Sequence, residues 1–122
     1  MPQNILIIED EPTLAKALCL GLDRDFKVEV ASTGQAGLNQ ALTAPPDLIL
    51  LDIMLPDIDG IEILKKLKAA EPTADIPVIV LTNMGDKETV SRILSVGGTE
   101  YLIKSDWSID EIAKKIRQIL AL

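Results

Sequence analysis

The sequence has no histidine, one cysteine and no apolar run long enough to cross a membrane. Lacking histidine, the chain has neither the commonest general base nor the commonest neutral metal ligand, so any phosphohistidine chemistry must come from a partner. The lone cysteine, Cys19, cannot close an internal disulfide and reads as a small, half-buried thiol in a helix rather than a redox centre. Basic residues are scarce too. Twelve Lys and Arg against 19 Asp and Glu leave a net charge of −7, with nothing to neutralise a run of phosphates, which argues against direct nucleic-acid binding. The opening residues Met1-Pro2-Gln3-Asn4 lack the basic start of a secretory signal. A cytoplasmic location with no membrane partner is the expectation.

What is present suits one soluble globular domain. The chain has 122 residues, 48% of them hydrophobic and 25% charged, enough for one core and too few for two ordinary domains. A single domain over residues 1–122, with no output domain in this chain, is therefore expected. Its central feature is the run Leu48-Ile49-Leu50-Leu51, which has no polar face and ends abruptly in Asp52. Such a run suits a strand buried on both sides, as in a parallel sheet covered by helices. Pro56 and Gly60 then mark a loop leading into the next helix.

The other elements fall into the same rhythm. Ile5-Leu6-Ile7-Ile8 is a second strand without a polar face, ended by Glu9-Asp10-Glu11. Pro12 suits a first helical turn, with Leu14, Leu18 and Leu22 on the buried face of a helix that closes between Gly21 and Asp25. Lys27-Val28-Glu29-Val30 alternates, so this strand belongs at a sheet edge. Ser32 and Gln35 have capping-box spacing for a helix through Leu38 and Leu42, which must stop before Pro45-Pro46. Ile61, Leu64 and Leu67 define a third helix whose Lys65, Lys66 and Lys68 read as a solvated face. Pro77 to Leu81 is a fourth strand ending in Thr82-Asn83. Asp86 can cap a helix carrying Val90, Ile93 and Leu94, which Gly97-Gly98 can end. Tyr101-Leu102-Ile103 is a fifth strand ending in Lys104. Ser108 and Glu111 then open a closing helix with Ile109, Ile112, Ile116 and Ile119 on one face.

Strands alternating with helices over short connections predict a doubly wound α/β domain with a five-stranded parallel sheet and five helices. Placing the alternating second strand at an edge gives the order 2-1-3-4-5, with its switch point between the first and third strands. That order brings Glu9 and Asp10 beside Asp52, with Thr82 and Lys104 on the following strand ends. Any one of these groups alone would be ordinary loop surface; their shared position at the carboxyl ends, where ligands of open α/β sheets bind, is harder to dismiss. Three converging carboxylates repel unless a cation or a proton joins them. Hard oxygen ligands without histidine or thiolate favour Mg²⁺, or Mn²⁺ in its place. Asp10 and Asp52 suit direct ligation, with Glu9 direct or through water. A flavin or nucleotide site is disfavoured, since Glu9-Asp10-Glu11 would repel an anion. A metal-bound Asp52 near the Thr82 hydroxyl and the Lys104 ammonium instead fits nucleophilic attack by carboxylate on phosphorus.

In order and spacing, Ile5 to Glu11, the block from Leu50 to Gly60, Val80-Leu81-Thr82 and Tyr101-Leu102-Ile103-Lys104 resemble the receiver domain of two-component response regulators. The resemblance implies a flavodoxin-like three-layer sandwich acting as a phosphorylation switch rather than an enzyme on other substrates. It makes Asp52 the phosphoacceptor, Glu9 and Asp10 the acid pair for Mg²⁺, and the backbone carbonyl of Met54 a further metal ligand. Thr82 becomes the switch hydroxyl, Lys104 the phosphate-binding lysine and Tyr101 the switch aromatic; Tyr101 reads equally well as an ordinary edge-strand aromatic. The implied partners are a histidine kinase or histidine phosphotransfer protein, a downstream protein, and a second copy of the chain on phosphorylation. The face of the fourth helix, fifth strand and fifth helix would be remodelled. Bulky apolar Met54 and Met84 flank the implied path of the hydrolytic water, which predicts slow self-dephosphorylation.

The sequence departs from the family pattern at Ser105, where proline usually follows the lysine, at Asn83, and at Gly98. Without proline a cis bond after Lys104 costs about 2.5–4 kcal/mol and is not expected. Trp107, the only tryptophan, either reports on the site or simply packs the start of the last helix. Two other readings are weaker: a phosphorylation-independent pseudo-receiver, in which some member of the constellation should be missing, and a phosphohydrolase, which needs an acid where Met54 stands.

Overall fold

A computed structural model describes residues 3–83, 87–97 and 100–121 of the chain. Along the sequence run β1 (Gln3–Ile8), α1 (Pro12–Leu22), β2 (Phe26–Ala31), α2 (Gly34–Thr43), β3 (Leu48–Asp52), α3 (Gly60–Ala69), β4 (Val78–Thr82), α4 (Lys87–Ser95), β5 (Glu100–Ile103), a 3₁₀ turn (Lys104–Asp106) and α5 (Ile109–Ile119). All strand pairs are parallel, in the order β2-β1-β3-β4-β5. This is the doubly wound order expected from the sequence, with the alternating strand β2 at one edge.

The apolar strands feed two cores at once. Ile5 and Ile7 of β1 join Leu48 and Leu50 of β3, Ile79 and Leu81 of β4, and the inner faces of α1 and α5. Leu6 and Ile8 join Ile49, Leu51, Val78 and Val80 with residues of α2, α3 and α4 on the opposite side. Successive side chains point to opposite faces, so a strand between two helical layers must be apolar at every position, which is why these runs have no polar stripe.

Local signals act largely where the sequence puts them. Pro12 occupies the first turn of α1. Ser108 and Glu111 form a complete capping box on α5, Ser108 Oγ accepting from Glu111 N at 3.2 Å and Glu111 Oε1 from Ser108 N at 3.0 Å. Gly97, after α4, has φ +95°, a conformation that L side chains rarely adopt. No cis peptide bond occurs among the described residues.

Two local expectations need correcting. The cap of α2 is Thr33, not Ser32: Thr33 Oγ1 accepts from Ala36 N at 3.1 Å, since α2 begins one residue later than the Ser32 spacing implies. Lys68 is not part of a solvated face. Its ammonium folds back on the α3–β4 connection and donates to Ile76 O at 2.6 Å and Ala74 O at 3.4 Å, and burial, partly offset by Asp75, holds its pKa below the usual lysine value. The expected Asp86 cap and the Gly98 stop lie outside the described residues.

Candidate functional site

The same alternation that builds the cores aims the side chains at the carboxyl edge. Continued past the last core residues, it puts Glu9, Asp52 and Lys104 in phase with Ile7, Leu50 and Leu102, on the α1/α5 side. Thr82 and Tyr101 are in phase with Val80, on the α3/α4 side. The sheet pairs Asp52 with Leu81 and Thr82 with Ile103, so these groups meet at one rim.

Glu9 and Asp52 are almost wholly buried, at 1% and 3% exposure. Lys104 lies between them, its Nζ 3.2 Å from Glu9 Oε1 and 3.1 Å from Asp52 Oδ2. The remaining oxygens are held by backbone: Glu9 Oε2 accepts from Glu11 N at 3.1 Å, and Asp52 Oδ1 from Met54 N at 2.9 Å. Glu9 Oε1 has the ammonium as an ion-pair neighbour but accepts no aligned hydrogen bond, a buried acceptor only partly satisfied. Burial and the neighbouring Asp52 carboxylate push the Glu9 pKa up to about 7, against the lowering effects of the Glu11 amide and Lys104. Burial alone would pull Lys104 down, but Asp52 and Glu9 outweigh it and its pKa is raised.

Asp10 is exposed beside this pair. Carboxylate oxygens of Glu9, Asp10 and Asp52 all lie within 4.8 Å of one another, close enough to share one cation. The donor set is hard oxygen, and the buried Glu9 Oε1 accepts no hydrogen bond; both fit an oxygen-liganded divalent ion. The five acidic, hydroxyl and ammonium residues picked from the sequence thus sit on adjoining strand ends, Thr82 fully buried and Lys104 at the start of the 3₁₀ turn. Tyr101 is half-buried, packs against the α3/α4 core and borders a groove with Val90 and Leu94. Trp107 packs onto the α1/α5 core, with the Lys115 ammonium 5.7 Å from its ring centroid. Met54 is exposed, whereas Met84 lies outside the described residues.

Sequence reasoning missed the braces of the β3–α3 loop. Ile53 N donates to Leu81 O at 3.1 Å and Gly60 N to Ile53 O at 3.1 Å, closing the loop at its base. A Cβ on Gly60 would lie 2.5 Å from Ile53 Cα, so no other residue fits this close approach. Asp59 caps α3 through Ile61 N at 2.9 Å, and its other oxygen is 3.9 Å from Arg92 of α4. Asp57 reaches across to α2. Both acids looked like turn residues, since nothing in their own spacing shows which helix they face.

Comparisons with known proteins agree with this geometry. The family model for the response regulator receiver domain matches residues 5–117. The response regulator ArlR of Staphylococcus haemolyticus is 40% identical over 118 residues, covering 96% of this chain and 52% of that protein. The DNA-binding dual master transcriptional regulator RpaA of Synechocystis is 36% identical over 121 residues, covering 98% and 49%. The crystal structure of a CheY-like response regulator receiver domain protein from Methanospirillum hungatei superposes with a TM-score of 0.91 at 27% identity, covering 99% of this chain and 95% of that one. The chain spans about half the length of the curated relatives it matches. It belongs to the response regulator receiver domain family of two-component signalling proteins.

Proposed function

We propose that this receiver takes a phosphoryl group onto Asp52 from a phosphohistidine on a histidine kinase or histidine phosphotransfer protein, with Mg²⁺ held by Glu9, Asp10, Asp52 and the Met54 carbonyl. The observation that carries this reading is the buried Asp52 carboxylate, fixed by Met54 N on one oxygen and by Lys104 on the other, within reach of two further acids. An Asp52 oxygen bonds to phosphorus as the P–N bond to the donor imidazole breaks, and the departing nitrogen takes up a proton. Lys104 exchanges part of its pairing with Asp52 for a phosphoryl oxygen, and the Thr82 hydroxyl donates to another. When bound, Mg²⁺ offsets charge on the transferring oxygens, with Mn²⁺ an effective substitute.

Thr82 and Tyr101 share one face of the sheet, so inward movement of the hydroxyl opens space that Tyr101 can follow. The α4–β5–α5 face is thereby remodelled for a downstream protein or a second copy of the chain. Any DNA contact belongs to an additional domain of the kind that RpaA's name implies, because this surface is acidic.

Incubation with acetyl phosphate and Mg²⁺ is expected to add one phosphoryl group by intact-mass measurement and none to Asp52→Ala. Removing the phosphodonor should leave the label in place for longer than seconds, because apolar Met54 and Met84 disfavour an ordered attacking water. Equal labelling of both proteins, or none of either, overturns the assignment.

A further inference from the structure

The Asp57 carboxylate spans two elements that the proposed chemistry does not otherwise join. Its Oδ1 accepts from Gly34 N at 2.9 Å and its Oδ2 from Gln35 N at 3.0 Å. Those amides belong to the first turn of α2, where N–H groups have no partner within the helix. Thr33 Oγ1 takes the next one, from Ala36. The first turn of α2 is therefore capped partly from its own sequence and partly from a loop 23 residues away.

The contact is built rather than incidental. A Cβ on Gly34 would lie 2.3 Å from Ile58 Cγ2 and 2.5 Å from Ile63 Cδ1, so a larger residue at the helix start would have to displace these side chains of the loop and α3. The amides of Gln35 and then Gly34 hold the Asp57 carboxyl below the usual aspartate range, as expected for a carboxylate that accepts two N–H bonds at a helix start. Only Leu55 and Pro56 separate Asp57 from Met54, and Pro56 restricts the backbone between them. The other ties of this loop, Gly60 N to Ile53 O and Asp59 to Ile61 N, hold its base and its far end. Asp57 is the tie that fixes its outer bend sideways.

We infer that Asp57 is a positioning residue for the cation site: by capping α2 it holds the β3–α3 loop, and with it the Met54 carbonyl proposed above as a cation ligand. This rests on the metal reading above. An outer partner of this kind changes cation affinity typically by 10–100-fold. Its effect should show in binding rather than only in stability.

Isothermal titration with Mg²⁺ alone, on wild type, Asp57→Ala and Asp57→Asn, tests this, with urea unfolding of each variant in parallel. Asp57→Ala is expected to weaken Mg²⁺ binding about tenfold or more. Asp57→Asn, which keeps one acceptor oxygen, should fall between, and it carries the comparison if Asp57→Ala does not fold. Raising Mg²⁺ should restore the rate of labelling by acetyl phosphate in both. Variants that lose stability yet bind Mg²⁺ as wild type does overturn the inference and leave the metal reading standing. A wild type that binds no Mg²⁺ overturns both.

Discussion

At the scale of single residues, the site is a balance of three charges, two of them on almost wholly buried carboxylates. Two carboxylates and one ammonium share a small volume, and Lys104 alone leaves the cluster one negative charge in excess. Burial and the neighbouring Asp52 raise the Glu9 pKa from 4.5 to about 7. A raised acid pKa means that the folded state binds more protons than the unfolded chain between those two values. In metal-free protein this contribution to stability is fully present below about 4.5 and is lost as the pH rises through about 7. The loss amounts to roughly 3 kcal/mol when the shift is converted at 1.36 kcal/mol per unit. Urea midpoints measured in EDTA across that interval should fall with rising pH in wild type. In Glu9→Gln they should stay nearly level; an equal slope in both proteins would assign the proton elsewhere.

At the scale of elements, strands aim the reactive groups and helix starts hold the loops. The caps are supplied by Thr33 for α2, Asp59 for α3 and Ser108 with Glu111 for α5. The α5 box stands just after the 3₁₀ turn that begins at Lys104. Removing the Ser108 hydroxyl by Ser108→Ala should cost about 1 kcal/mol, seen as a lower urea midpoint with unchanged slope. A changed slope would mean that the connection, and not only the cap, had been altered. Helix α5 is also pinned to the α1–β2 connection by Arg117 to Asp25 at 2.8 Å, and to β5 by Lys115 to Glu100 at 3.2 Å. These exposed or half-exposed pairs contribute little singly; they set register more than stability.

At the scale of the whole molecule, the sheet has two cores and one functional rim. Because Asp10 is exposed while Glu9 and Asp52 are buried, the cation proposed above would enter from solvent and still engage the interior of the fold. Binding to the native state alone stabilises it by RT ln(1 + [L]/Kd), about 2.7 kcal/mol at a hundredfold excess over Kd. Mg²⁺ should therefore raise the melting temperature of wild type by several degrees and that of Asp52→Ala by much less. Scanning calorimetry with and without Mg²⁺ checks this, and equal rises in both proteins would place the ion away from Asp52. No helix among the described residues is long and apolar enough to cross a membrane.

The sequence by itself determined the strand runs, their order and the ends that carry chemistry, because a strand buried on both faces must be apolar throughout and its first polar residue marks the rim. Glu9, Asp10, Asp52, Thr82 and Lys104 were legible for that reason. Tertiary structure alone decided which oxygen of each acid meets Lys104, which residue caps α2, and where Lys68, Asp57 and Asp59 reach. The contacts of Lys104 with Asp52, Asp57 with α2 and Asp59 with Arg92 join segments far apart in the chain, and no local periodicity or capping pattern specifies a partner across such a distance. The same limit explains why Ser32 looked like the cap when Thr33 is: the spacing of polar residues is local, while the point where α2 begins is set by the loop packed against it.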